Sequence, residues 1–429
     1  QSHKAAQKIR SQLPPFSRED KKRRIILAPH ISDFYSPLLP SLFTLSGYQL
    51  EILPKSDKTS VEWGLKYCNN EICYPATIIV GDIIKALRSG KYERNKVAIG
   101  ITQTGGQCRA SSYLSLIKKA MINNDFADIP IISLNISNME NIQQPGFKLN
   151  WFKTIPAAFI GILFADAISK MYYACAPREV NKGQSSSLKE YYIQQIQKYI
   201  AERRSYKQVF TLLERAVNDF NQIATKATNC PQIGIVGEIY VKYNDFGNQH
   251  SLDWLVNQGI EPVIPPMLEF FSQFFVNHDS NIEHNLQIKS FISYLFRFFE
   301  SYTQEKVTKT NTILQRFKYY QPFHNIRDMS EKAKQVLNLS NQYGEGWLIP
   351  AGIMSLAEQG IHNIISLQPF GCIANHVVSK GVEKRMRDLY PKLNLLYLDF
   401  DDGAGEVNVL NRLHFMVSSL KYQQLERVI

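Results

Sequence analysis

Short apolar runs alternate with helical periodicity along most of this chain. Ile25-Ile26-Leu27-Ala28 predicts a strand, and helical spacing follows from Pro37 to Gly47. Leu50-Glu51-Ile52-Leu53 predicts a second strand. Tyr74 to Gly90 predicts a helix, with Pro75 in the first turn, where its missing N–H costs nothing, and Ile79, Ile83 and Leu87 on one face. Val97 to Ile101 is a strand. Ala110, Tyr113, Leu114, Ile117, Ala120 and Met121 mark an amphipathic helix, and Ile131-Ile132-Ser133-Leu134 a further strand. Alternation of this kind implies an α/β fold, with mostly parallel sheets covered by helices on both faces.

The pattern then divides the chain. Residues 1–22 are polar and read as a linker or arm, and 23–150 as a first α/β lobe. Residues 151–229 are mainly helical, interrupted at Pro177 and over Asn181–Ser187. A second α/β lobe starts in 230–340 with Ile233-Gly234-Ile235-Val236 and Glu261-Pro262-Val263-Ile264. It carries a helical insertion in which Phe270, Phe271, Phe274 and Phe275 fall at helical spacing, as core or subunit packing requires. The rest of that lobe, 341–429, holds the strand Ile364-Ile365-Ser366-Leu367 and a helix with Val378, Val382, Met386 and Leu389 on one face. The strand Leu395 to Phe400 and a closing helix from about Gly405 complete it. The picture is two lobes with helical insertions. Gln103-Thr-Gly-Gly-Gln-Cys108 and Gln368-Pro-Phe-Gly-Cys372 echo each other at similar places in them.

Bulk properties narrow the classes. At 429 residues and 44% hydrophobic composition, the chain is too long for one core and is globular, not disordered. The formal charge of +11 favours anionic partners such as nucleic acid, an acidic protein or a phosphorylated small molecule like a coenzyme A ester. No nucleic-acid-binding motif is visible, and the Lys21–Arg24 run beside Glu19 and Asp20 reads as a solvated linker, so no nucleic-acid partner is expected. No signal peptide is evident, and a cytoplasmic location is expected. The most apolar stretch, Ile155 to Tyr173, is interrupted by Asp166 and Lys170 and is short of the roughly 20 apolar residues of a membrane span. It reads as a buried helix, with no membrane partner.

The candidate chemistry lies in cysteines. Of six, Cys108 and Cys372 each follow a strand and a glycine-bearing turn and open a helix, while Cys73 directly precedes the helix start at Tyr74-Pro75. Ligands of open parallel sheets bind outside the carboxyl ends of the strands. A helix N-terminus offers free N–H groups and partial positive charge, expected to lower a thiol's pKa toward the metal-binding thiolate. Gly105, Gly106 and Gly371 let backbone approach a bulky group closely and aim N–H donors at it. Converging thiolates would suit an iron–sulfur cluster, and buried structural thiols fit the same positions. Cys175 and Cys230 read as structural, and Cys68 with Cys73 lacks the spacing of a zinc site. Glu238, after Gly237 at a strand end, is a candidate acid, base or hydrogen-bond acceptor in the cleft. His376, just past Cys372, is a candidate donor to sulfur or substrate, or else a solvated imidazole. Asp401, Asp402 and Glu406 around Gly403 and Gly405 read as turn and capping groups.

Five blocks carry a resemblance. They are Glu71-Ile72-Cys73-Tyr74-Pro75-Ala76, Gly106-Gln107-Cys108-Arg109, Gly237-Glu238-Ile239-Tyr240-Val241, Gln368-Pro369-Phe370-Gly371-Cys372-Ile373-Ala374-Asn375-His376 and Asp399-Phe400-Asp401-Asp402-Gly403-Ala404-Gly405-Glu406-Val407-Asn408. In this order they resemble the 2-hydroxyacyl-CoA dehydratase and double-cubane cluster superfamily, in particular the dehydratase-related module of the large acyl-CoA dehydratase activase-like proteins. The resemblance runs from about residue 23 to the end. It implies a cluster held between α/β lobes by Cys73, Cys108 and Cys372, either [4Fe-4S] or a double-cubane [8Fe-9S]. Only three cysteines fall in the blocks, which favours the single cubane. It also implies single low-potential electrons from an ATPase activase, fused or separate, and radical dehydration of a 2-hydroxyacyl-CoA or reduction of another small molecule. A related subunit or a second copy is an expected partner, because known dehydratases pair two related subunits. The polar segment 1–22 and the absence of an initial Met fit an excised module. The alternative is a non-catalytic cluster-holding or regulatory module that docks to the activase.

Overall fold

A computed structural model describes residues 13–69, 72–103, 108–135, 144–226, 230–403 and 405–426. The fold is α/β, with two parallel four-stranded sheets. By contact, the chain divides into two compact units. One comprises Gln1–Ala158, Pro369–Gly371 and Phe400–Gly403; the other comprises Phe159–Gln368, Cys372–Asp399 and Ala404–Ile429.

In the first unit, β1 (Ile25–Ala28), β2 (Gln49–Ile52), β3 (Val97–Gln103) and β4 (Ile131–Asn135) lie in the order β2-β1-β3-β4. Ile26 pairs with Leu50 on one side and with Ala98 on the other, in parallel register. Ile26, Leu27, Ala98 and Ile99 are wholly buried, so these strands read as continuous apolar runs and not as alternating ones. The helices are α1 (Asp20–Arg23), α2 (Leu38–Thr44), α3 (Lys58–Leu65), α4 (Tyr74–Arg88) and α5 (Tyr113–Asn123). Asp57 caps α3 in a reciprocal box with Ser60. Helices α3 and α4 cross almost backbone to backbone: a Cβ on Gly64 would stand 2.0 Å from the Thr77 carbonyl oxygen, and one on Gly81 1.6 Å from that of Ser60. Asp82, deep in this crossing, accepts a hydrogen bond from Ser56 Oγ at 2.7 Å.

In the second unit, β5 (Gln232–Gly237), β6 (Glu261–Val263), β7 (Asn363–Pro369) and β8 (Asn394–Phe400) lie in the order β6-β5-β7-β8. This is the strand order of the first sheet. In each sheet the chain reverses direction of build beside its first strand, the switch point at which open α/β sheets place ligands. The helices of this part are α6 (Trp151–Cys175), α7 (Gln184–Ala201), α8 (Tyr206–Gln222), α9 (Ile239–Tyr243), α10 (Ser251–Asn257), α11 (Met267–Glu283), α12 (Phe291–Leu314), α13 (Ile326–Lys334), α14 (Leu348–Glu358), α15 (Ile373–Val378), α16 (Glu383–Leu389) and α17 (Glu406–Glu426). Helix α6 is long and apolar enough to cross a membrane by length and composition alone. Its residues Leu163, Phe164, Ile168 and Met171 are buried in the fold, and Asp166 accepts from the Met267 and Leu268 N–H groups at the start of α11. Phe270 packs against the core of Val276, Ile326, Met329 and Trp347.

One expected element is different. The helix read through Val378, Val382, Met386 and Leu389 is two helices, α15 and α16, joined by a 3-10 turn over Lys380–Val382. Ser379 and Gly381 are weak helix formers and stand at the break. Val378 and Met386 are buried, whereas Leu389 is exposed.

Candidate functional site

All three block cysteines occupy N-cap positions. Cys73 caps α4, Cys108 caps the 3-10 turn Arg109–Ser112 that leads into α5, and Cys372 caps α15. Cys108 and Cys372 follow β3 and β7, the third strands of two sheets with one strand order. The sequence echo between 103–108 and 368–372 is thus topological as well.

In the first unit, Cys73 is buried and its sulfur lies 3.7 Å from Tyr113 Oη. Tyr113 begins the helix that the Cys108 turn introduces. Gly371 has φ +67° and lies against Arg109: a Cβ there would stand 3.7 Å from the guanidinium. The residue after Cys108 and the residue before Cys372 are therefore neighbours. Gly105 and Gly106 lie outside the described residues. Asp402 lies near Cys68 and Tyr74. Burial, and then the Asp402 charge, push the Cys68 thiol up to about 12. Asp401 accepts from the Gly403 N–H at 2.8 Å, a turn contact.

In the second unit, Asn375 Nδ2 donates to Cys372 Sγ at 3.2 Å. Asn375, not His376, makes this contact; His376 is exposed, and its backbone N–H returns to the Cys372 carbonyl at 3.0 Å. The expectation of a lowered thiol pKa is corrected for Cys372. Burial raises it to about 12, with the nearby charges of Glu345 and Glu238 adding to the rise, and hydrogen bonding to Asn375 offsets only part of it. A helix as short as α15 supplies too little dipole to reverse that desolvation.

Glu238 stands where β5 ends. Gly237 before it has φ +122°, and a Cβ there would meet the Leu367 carbonyl oxygen at 1.9 Å, so only glycine lets β5 and β7 approach this closely. The Glu238 N–H donates to that same oxygen at 2.9 Å. Its side chain caps α9 by accepting from the Val241 N–H at 2.8 Å, while Glu345 accepts from the Ile239 N–H at 2.8 Å. Burial, and then their mutual repulsion, hold the Glu238 carboxyl well above the usual carboxylate range; burial raises Glu345 as well. Lys242, one turn on, is buried, and desolvation lowers its pKa against the pull of Glu345, Glu269, Glu238 and Asp166. Burial thus favours the protonated form of the Glu238 and Glu345 carboxyls. Sequence reasoning found Glu238 and missed Glu345 and Lys242. The signal for Glu345 was its place between two glycines, Gly344 and Gly346, in a loop.

Cys175 and Cys230 are buried, with their thiols aimed at the Phe220 carbonyl (3.8 Å) and the Gly259 carbonyl (3.2 Å). A polar groove of about 700 Å³ along α12, lined by Arg297, Glu300, Gln304, Lys309 and Arg327, contains none of the candidate residues.

Among the described residues, no group of three or more His, Cys, Asp or Glu side chains is gathered to hold a metal ion. An iron–sulfur cluster is bridged by its own sulfide, so its cysteines need not meet around one atom. Taken unit by unit, the donors are thiols of the kind that ligate iron: Cys73 and Cys108 stand at N-caps in the first unit, and Cys372, at an N-cap in the second, accepts an amide N–H. In comparisons with known proteins, no family model and no curated protein matches the chain.

Proposed function

We propose that this chain is a cytoplasmic iron–sulfur redox module of the 2-hydroxyacyl-CoA dehydratase and double-cubane superfamily. It accepts low-potential electrons from an ATP-dependent activase and delivers them to a small substrate, a 2-hydroxyacyl-CoA or another reducible molecule. The observation that carries the reading is the common position of the three block cysteines, each the N-cap of a helical segment and two of them after equivalent strands. Cys73, Cys108 and Cys372 would hold a [4Fe-4S] cluster. When bound, such a cluster supplies one-electron chemistry at a potential set by its hydrogen bonds and burial.

The remaining roles belong to the chain's own side chains. Asn375 directs an N–H at the Cys372 sulfur, which stabilises negative charge there. Glu238, whose burial favours the protonated form, would hold a proton beside the switch point of the second sheet, its affinity raised by the charge of Glu345 and lowered by that of Lys242. The excess of basic residues suits a phosphorylated carrier such as coenzyme A.

Protein purified without oxygen tests the reading. It should be brown and contain about four irons per chain. Cys108→Ala should lose most of that iron, and Cys175→Ala should keep it. A colourless chain that takes up no iron and sulfide on reconstitution would leave an α/β ligand-binding protein with incidental cysteines.

A further inference from the structure

Two oxygen atoms beside the first turns of α4 are buried without a partner. Thr77 is wholly buried, and its hydroxyl makes no hydrogen bond among the described residues. A helical threonine habitually bonds the carbonyl three or four residues back. Thr77 does not, and its hydroxyl lies against Asp402 instead. Asp402 Oδ1 is itself closed off from solvent and receives no donor. Asp401 adjoins it, with one carboxylate oxygen taken by the Gly403 N–H at 2.8 Å. Burial, only partly offset by Thr77, and then the Asp401 charge disfavour a bare carboxylate at Asp402, and no lysine or arginine compensates them there. All of these residues belong to the first unit.

We infer that Asp401, Asp402 and Thr77 form a binding site for a hard divalent cation, Mg²⁺ or Ca²⁺. Two carboxylates and a hydroxyl are an all-oxygen set, the kind such ions take, whereas zinc and copper seek nitrogen and sulfur. A cation between them would supply the missing counter-charge at Asp402 and use the idle lone pairs of Thr77. Asp401 is half-buried, which leaves room for the waters that Mg²⁺ in particular retains. The site would also tie two distant stretches of chain together. The carboxylates sit in the turn after β8, and Thr77 lies one turn into α4, the helix that Cys73 caps. Cys68 stands close to Asp402, so zinc is the competing metal. Because every proposed ligand is an oxygen, the site is independent of a bound cluster.

The test uses the full chain, stripped of metal by a chelator. Calorimetric titration with magnesium chloride and with calcium chloride should find a single site for at least one of the two ions, and the same ion should raise the thermal midpoint. Tb³⁺, a luminescent hard-ion probe, should light up on tyrosine excitation, because Tyr74 lies beside Asp402. Tyr74→Phe should lose most of that signal and still bind the ion. Asp402→Asn and Thr77→Val, both close in shape to the native residues, should each weaken binding at least about tenfold. Asp401→Asn should do the same, and at its half-buried position it serves if Thr77→Val does not fold. Asp128→Asn, an exposed carboxylate of the same unit, should bind like wild type. A wild-type chain that binds neither ion overturns the inference and leaves a water or a proton between Asp402 and Thr77. Binding that Asp402→Asn and Asp401→Asn leave unchanged overturns it too. So does a preference for Zn²⁺ that Cys68→Ser abolishes.

Discussion

The Arg109 guanidinium lies 3.7 Å from the point where a side chain on Gly371 would begin. The two residues are far apart along the chain, yet each adjoins a candidate cysteine, Cys108 or Cys372. A Cβ at Gly371 would fit beside Arg109, so what glycine provides there is its left-handed φ of +67°. Gly371→Ala should therefore cost about 1–2 kcal/mol in denaturant unfolding, and Gly371→Asn clearly less, because asparagine tolerates that conformation. Iron content after anaerobic reconstitution should follow the same order. Equal losses for Ala and Asn would mean that space, not backbone conformation, decides the position.

Gly237 presents the opposite case. Its Cβ would overlap the Leu367 carbonyl oxygen, and its φ of +122° is foreign to L residues. Backbone strain and overpacking act together, so Gly237→Ala should lose at least about 3 kcal/mol. Thermal unfolding of the purified variant, or its failure to accumulate in soluble form, reports this.

Asp82 sets a pH dependence. Burial pushes its carboxyl from 3.8 to about 6, against hydrogen bonds with Ser60 and Ser56 and the charge of Lys85. The folded state thus keeps a proton that the unfolded chain releases. Its contribution is full below about pH 4 and is lost as pH rises through 6, a swing of up to about 3 kcal/mol. Asp82→Asn can still accept from Ser56 and removes the swing. The variant should be more stable than wild type at pH 8 and no better at pH 4, as urea titrations at the two values would show.

Asn375 and His376 separate cleanly. Loss of an N–H aimed at sulfur disfavours the reduced, more negative state, so Asn375→Ala should shift the reduction midpoint of the reconstituted protein downward. His376→Ala should leave it in place, because that imidazole is exposed. An equal shift in both variants would assign the effect to α15 as a whole.

The eight strands of the described residues lie where the apolar runs put them, because each is short and bounded by turns and most are buried, though β2 at a sheet edge is only half-buried. The N-cap positions of Cys73, Cys108 and Cys372 were equally legible from strand ends, turn glycines and Pro75. What stayed hidden was tertiary. Lys242 and Glu345 are charged residues whose burial follows from helices far away in the chain, and no local pattern records that. The break at Ser379–Val382 was masked because Val378 and Met386 keep a helical interval even though the backbone between them does not. Cys372 escaped its expected acidity for a related reason: burial is a property of the whole fold, whereas a helix start can be read from a few residues.

Phe400 is wholly buried in the first unit, and the Phe370 N–H donates to its carbonyl at 2.8 Å. A ribosome making this chain must therefore pass residue 403 before the earlier-made unit receives its last pieces. Until then its apolar interior waits unfinished while most of the second unit is produced. Nascent chains stalled before residue 369 should accordingly bind hydrophobic-surface chaperones more than those released beyond 403.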